Sequence, residues 1–331
     1  MQLKYYKNIT LVMVFIILFA GCKKINEAIL PSVPQKLQND CIERSLGPNI
    51  VGQNIEFAYA MALPQSLGKI VSAQVTASIA GATGTYMENR SFYTNSNGGV
   101  DVGITVGSPS VTTDVQTLVT FTKDTCAATL RYYYTIPEAA RGKSVSFTFS
   151  ATASNGQTVT YKMGPYVCTT MVMKLDQVGV DNKACYFSIA DMAFYDAPTA
   201  AANPSKIDLV YLYRNITGIT FAHALVSPGA IPDYLPGITL PTGVTNSTKL
   251  IKTWNLNDYN LARLQYGIYI DDSDFPALDF TNMPNYAINL KAQAGVWAET
   301  ADGKYRAYIY VNAISNTVPS MTVSIKRYQM K

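Results

Sequence analysis

Histidine is almost missing. The 331-residue chain has one, His223, and that count removes a His-rich zinc site and most metalloprotease motifs. Charge is sparse at 15% of residues, and no Lys/Arg cluster offers a footprint for a phosphate backbone. Lys plus Arg number 26 against 22 Asp plus Glu, and Lys4 and Lys7 fall in a segment expected to be removed, so the mature chain is close to neutral. Nucleic acid is therefore not an expected partner. There is no G-x-S-x-G elbow, no papain-type cysteine signature and no C-x-x-C, which takes away the common signals of serine and cysteine hydrolases and of redox or metal pairs. No apolar run approaches the roughly 20 residues that span a bilayer, and no fixed period links the two halves, so a membrane helix and a solenoid are both poor readings. No cofactor is expected.

The N-terminus is distinctive. Met1 to Asn8 carries two lysines, Ile9 to Phe19 is apolar apart from Thr10, and Ala20-Gly21 precede Cys22. These are the three regions of an export signal. Leu18-Phe19-Ala20-Gly21-Cys22 resembles the lipobox of bacterial lipoproteins, with Phe19 where Leu is commonest. Small side chains admit the peptidase and the Cys22 thiol accepts the lipid, with several acyl chains giving stable attachment. Residues 1–21 are thus expected to be a signal peptide and 22–36 a lipidated tether ended by Pro31 and Pro34. Lys23-Lys24 rather than Asp after the anchor favours the outer membrane, with its surface or periplasmic face left open.

Beyond the tether the chain is patterned with period two. Val71, Ala73, Val75, Ala77 and Ile79 alternate with polar residues, as do Val100, Val102, Ile104 and Val106, and Val145 to Ala153. Alternation of this kind sets one face on a core and the other in water. With Phe57 to Met61, Val115 to Phe121, Leu130 to Ile136 and Val159 to Tyr161, seven strands are predicted. Asn155-Gly156 predicts a hairpin in which both turn residues take positive φ. Seven antiparallel strands suggest a sandwich of immunoglobulin type over residues 37–166. Residues 167–331 read as a second β-rich, sandwich-like domain with one or two short helices. Ile207 to Tyr213 is apolar enough for a central strand, Pro228 to Pro241 must be a loop, and Asn257 is placed to cap a helix over Asp258 to Gln265. Asp302-Gly303 predicts another hairpin.

GPNIVGQNIEFAYAMALP, SIAGATGTYMENRSFY, NPSKIDLVYLYR, ETADGKYRAYIYV and MTVSIKR resemble a family of uncharacterised two-module lipoproteins of the Bacteroidota. The resemblance spans most of the mature chain. It implies layout and habitat, and by analogy with lipoproteins of similar layout, glycan capture at the outer membrane. It transfers no catalytic residue.

Few residues can carry chemistry. His223 is read as a structural imidazole near a strand end rather than a partner of Ser227. Cys41, Cys126, Cys168 and Cys185 either form two disulfides in an oxidising compartment or are buried free thiols; spacing alone leaves both open. Asp271, Asp272 and Asp274 in YIDDSDFPALDF are weak Ca²⁺ candidates that lack the glycine and bidentate Glu of an EF-hand, and a solvated strand end with Asp274 capping a turn suits them better. Trp254, Tyr259, Tyr266 and Tyr269 form a candidate sugar-stacking platform, set against ordinary packing of strand aromatics, as expected for Tyr132 to Tyr134, Tyr308 and Tyr310. The leading expectation is a non-enzymatic, membrane-anchored binding or accessory lipoprotein for a glycan or peptide. A structural or adhesive envelope protein is the alternative, and a hydrolase built on Asp271, Asp272 or Asp274 comes last.

Overall fold

The computed structural model describes residues 35–331. The predicted signal peptide, the Cys22 lipidation site and nearly all of the tether lie outside the described residues.

The chain folds as two β-sandwiches in series. The first is built from β1 (Gln38–Glu43), β2 (Asn54–Ala62), β3 (Ile70–Ala77), β4 (Tyr86–Met87), β5 (Arg90–Thr94), β6 (Asp101–Thr105), β7 (Val111–Thr113), β8 (Gln116–Thr120), β9 (Ala127–Thr135), β10 (Ser144–Ala153) and β11 (Thr158–Val167). These pair in the orders β1-β2-β9-β4 and β11-β10-β3-β8-β7, while β5 and β6 form a separate ribbon. With β5 to β8 taken as an excursion, the remaining strands follow the A-B-E-D and G-F-C orders of an immunoglobulin constant-type sandwich. Alternation delivers the core: Ile55, Phe57, Tyr59 and Met61 of β2 face Val145, Phe147 and Phe149 of β10 and are buried. The Phe57 ring meets Phe147 and Phe149 at centroid distances of 4.9 and 5.2 Å.

Two sequence expectations need correction. The Val100 to Val106 alternation does not mark a core strand: Val100, just before β6, is 64% exposed and Ile104 within it 52%, β6 pairs only with β5, and only Val106, beyond the strand's end, reaches the core. At the turn between β10 and β11, Gly156 has positive φ, at 84°, and Asn155 does not. Its N–H bonds Ala153 O at 3.0 Å, and Asn155 Oδ1 accepts from Gln157 N, so the connection is a turn followed by a glycine bulge rather than a doubly left-handed turn.

The second sandwich contains β12 (Val172–Val180), β13 (Tyr186–Ser188), β14 (Ala193–Tyr195), β15 (Leu209–Ile216), β16 (Ile219–Val226), β17 (Lys249–Trp254), β18 (Tyr286–Leu290), β19 (Ala294–Glu299), β20 (Tyr305–Ser315) and β21 (Ser320–Gln329). Its sheets run β12-β21-β20-β19-β17 and β14-β13-β15-β16-β18. Three short helices join them: α1 (Ala197–Ala202), α2 (Tyr259–Ala262) and α3 (Asp274–Ala277). The unforeseen one, α1, starts where Asp196 accepts a capping bond from Thr199 N and Pro198 occupies the first turn.

The central strands of the β12–β17 sheet are buried on both faces. Val296, Ile309, Val323 and Ile325 pack on the β15–β16 sheet. On the opposite face Trp297, Tyr308 and Tyr310 are covered by the 255–280 segment through Leu261, Ile270, Phe275 and Phe280. Ile50 from the first sandwich and Met171 from the junction complete this outer cluster, so the segment is fixed against both modules.

Candidate functional site

The site begins with one aspartate. Asp258, not Asn257, caps α2: its Oδ1 accepts from Leu261 N at 3.0 Å, and Oδ2 accepts from Ile270 N at 2.8 Å. Asn257 instead accepts from the Tyr310 hydroxyl at 2.9 Å. The helix is a single turn, ended by Arg263 in the left-handed region at φ 54° rather than running on to Gln265. Asn312 closes it from below by donating to Leu261 O at 2.8 Å. Ile268 returns beside Asp258 through Ile268 N to Asn257 O and Tyr259 N to Ile268 O, at 2.9 and 2.7 Å. Gly267 permits that approach, since a Cβ there would lie 2.7 Å from Asn257 O.

Beneath this loop sits a buried ion pair. Lys326 Nζ lies 2.7 Å from Asp258 Oδ2, both side chains are fully enclosed, and Nζ also donates to Asn260 Oδ1 at 2.9 Å and Ile270 O at 2.8 Å. All three ammonium protons have acceptors, the condition under which a buried charge is tolerable. Burial pulls the Lys326 ammonium below the ordinary lysine range, and the charge and hydrogen bond of Asp258 oppose that shift.

The loop faces the first sandwich across a groove of about 650 Å³. From the second module come Tyr259, Tyr266 and Tyr269; from the β1–β2 connection and the start of β2 come Arg44, Asn49, Gln53, Asn54 and Glu56. Tyr266 is 81% exposed and Tyr259 41%, and Tyr269 packs on Tyr259 with centroids 5.1 Å apart. Arg44 and Glu56 pair at 3.8 Å. The seam is clasped on either side. Asp272 Oδ2 accepts from Thr170 N and Oγ1 at 2.6 and 2.7 Å, and its Oδ1 from Met171 N at 3.1 Å. Arg141 donates to Thr170 O and Met171 O. Gly47, at φ 90°, lies under the Tyr269 ring so closely that a Cβ would come within 2.2 Å of it.

The structure thus brings three of the four predicted platform residues together. Trp254 is not among them: it is 62% exposed at the end of edge strand β17 and lines no part of the groove. Tyr132, Tyr134, Tyr308 and Tyr310 are core residues, and Tyr133 stacks on Tyr86 at 4.9 Å. The aspartate cluster is spent on main-chain amides. Besides Asp272, Asp274 Oδ2 accepts from Asp271 N at 2.8 Å, and Asp271 Oδ1 from Ser273 N and Oγ. Asp274 therefore does not cap α3, whose cap position is Ser273. Among the described residues no group of three or more His, Cys, Asp or Glu is placed to hold a metal ion.

His223 is buried, with Nδ1 2.7 Å from the Tyr211 hydroxyl and Nε2 2.7 Å from Asn316 Oδ1; burial lowers its pKa. With both nitrogens engaged and the cation disfavoured, the ring reads as a neutral structural element. Ser227, likewise buried, donates to Asn246 O at 2.6 Å. The four cysteines are unpaired, Cys41, Cys168 and Cys185 buried and Cys126 half-buried, so the free-thiol arrangement is the one seen. Burial pushes the Cys41 thiol up to about 12 and Cys185 to about 11.

A second groove, of about 490 Å³, crosses the outer face of the first module between Asp40 and Tyr93. Its floor is alanine, and the Phe92 ring on its wall is covered by the Arg131 guanidinium at 3.9 Å. The seam offers more free aromatic surface and more polar groups. The β1–β2 contribution to the seam was not legible from the sequence, because it lies some 200 residues from the tyrosines.

Residues 34–168 match the model of a domain of unknown function (DUF4466), and residues 169–330 that of another (DUF8576). The chain is similar to a DUF4466 family protein from Parabacteroides merdae of known crystal structure, at 50% identity and TM-score 0.83, over 89% of this chain and 99% of that one. A C-terminal fragment of the major pilin GBS80 of Streptococcus agalactiae, 11% identical over 87% of this chain and 91% of that one, superposes at a TM-score of only 0.28. The major pilin subunit BcpA of Bacillus cereus, 7% identical over 86% and 62%, does the same at 0.28. No curated protein matches the chain. The kinship with two-module proteins of the Bacteroidota read from the sequence is borne out by the Parabacteroides relative: the chain belongs to the DUF4466 family.

Proposed function

We propose that the chain is exported, cleaved before Cys22, lipidated there and held at the outer membrane as a non-enzymatic binding protein whose inter-module groove captures a glycan. The observation that carries this reading is the meeting of Tyr259, Tyr266 and Tyr269 with a polar loop of the other module around one groove. Flat aromatic faces suit the apolar faces of sugar rings, and planar amides beside them suit hydroxyl groups, since each offers both donors and acceptors. Tyr266 makes the case strongest: a ring 81% in water contributes little to its own fold and is free to contact something else.

The test is a glycan array probed with the mature chain and with Tyr266→Ala. The expected result is binding to a restricted set of glycans, weakened tenfold or more by the substitution with an unchanged melting temperature. No binding by either protein sinks the glycan reading. Protease shaving of intact cells, with Cys22→Ala as control, tests the anchor and tells the surface from the periplasmic face.

One observation favours the alternative of an adhesive or structural envelope protein. Leu46, 80% exposed, and Ile268, 47% exposed, flank the same groove and would suit a protein partner. Cross-linking in intact cells that captured one stable neighbour through this face, without glycan binding, would favour that reading.

A further inference from the structure

The groove does not end at the tyrosines. A second depression of about 430 Å³ lies on the other side of the α2 turn, walled by Met173, Leu175 and Leu264. Gln53, Tyr259, Asn260 and Gln265 line both depressions, so the two are one trough passing α2. Each is by itself in the size range of a small-ligand pocket, and the trough is therefore longer than one sugar unit needs. Its charges are matched. Arg44 pairs with Glu56, and Arg263, the remaining charged lining residue, pairs with Asp176 through two bonds of 2.9 and 2.7 Å. Its amides are available: the side chains of Gln53 and Gln265 bond no described residue, and both lie where the two depressions join.

Resting on the glycan reading above, we infer that the ligand is an uncharged, internal stretch of a linear glycan, several sugar units long, running from the Tyr266 side of α2 past Tyr259 to the Leu264 side. A chain end or a monosaccharide would use one depression and leave the other idle. A sulfated or uronic chain would meet no free cation, because both arginines are already paired. The turn over which the chain bends is held from beneath by Asp258 and Lys326, so the trough is formed before the ligand arrives and association need not pay to order it.

Titration calorimetry of the mature chain with neutral gluco-, xylo- and manno-oligosaccharides of two to six units tests this. In the series that binds, affinity should rise at least tenfold from dimer to hexamer. Leu264→Ala should erase that gain with the melting temperature unchanged, since the side chain is 39% exposed. Equal affinity across lengths, or tighter binding of a carboxylated or sulfated chain than of its neutral counterpart, would overturn the inference while leaving glycan binding intact. Failure of every series, with binding to a peptide through the same tyrosines, would instead overturn the reading on which it rests.

Discussion

Removing Lys326 should cost far more than its place in the sequence suggests. Its ammonium is the counter-charge of Asp258, which is wholly enclosed and also holds Leu261 N and Ile270 N. Lys326→Met keeps most of the side-chain volume but leaves a buried carboxylate without a cation. Breaking such a pair from one side costs about 3–5 kcal/mol. At roughly 2–4 °C per kcal/mol for a unit of this size, the second module should melt on the order of 10 °C lower. Urea denaturation followed by fluorescence of Trp297, which packs on the same sheet face, reads the change directly. Adding Asp258→Asn should recover part of the loss, because the buried charge disappears and the asparagine oxygen can still cap α2. The recovery is incomplete, since an amide nitrogen cannot accept from Ile270 N. A coupling of at least about 1 kcal/mol between the two substitutions is expected. A loss below about 1 kcal/mol for Lys326→Met alone would show that water or a proton reaches Asp258, and that the ion pair does not hold the loop rigid.

Asp208 sets a pH dependence of stability. Burial, with smaller contributions from Asp302 and Asp191, pushes its carboxyl from 3.8 up to about 7. A raised folded-state pKa means that the neutral form favours folding, so this contribution is complete below about pH 4 and is lost as pH rises through about 7. At about 1.4 kcal/mol per unit the swing is at most about 4 kcal/mol. Asp208→Asn should flatten stability between pH 4 and pH 8 in urea titrations; an unchanged slope would contradict the assignment. Gly47→Ala forces a non-glycine residue to φ 90° and drives a methyl into the Tyr269 ring. A loss of about 1–3 kcal/mol is expected, together with weaker ligand binding as Tyr269 turns away. Wild-type stability and binding in this variant would show that the two modules do not meet at Gly47.

Much of the fold was legible because it is written with period two. The β2, β3, β9 and β10 cores follow from alternation alone, and IDLVYLY of β15 does lie at the centre of its sheet. The same rule misled at Val100 and Ile104, since alternation reports two different faces without saying what covers either. Lys326 was hidden for a related reason. Met321, Val323 and Ile325 of β21 mark one buried face, which makes Ser324 and Lys326 look like the solvent side, yet the 255–280 segment covers that side as well. At the site, the tyrosines were visible as a local cluster. Arg44, Gln53 and Glu56 were not, because no local pattern says which distant loop will face α2. Trp254 was grouped with the tyrosines by proximity in sequence, and strand β17 carries it elsewhere.

Hydrogen exchange of the mature chain with and without a saturating glycan tests most directly whether the ligand sits between the modules. Protection is expected to appear together in residues 44–56 and 259–269, one stretch from each module, and nowhere else. Protection confined to the Asp40–Tyr93 groove of the first module, or to one module alone, would contradict an inter-module site.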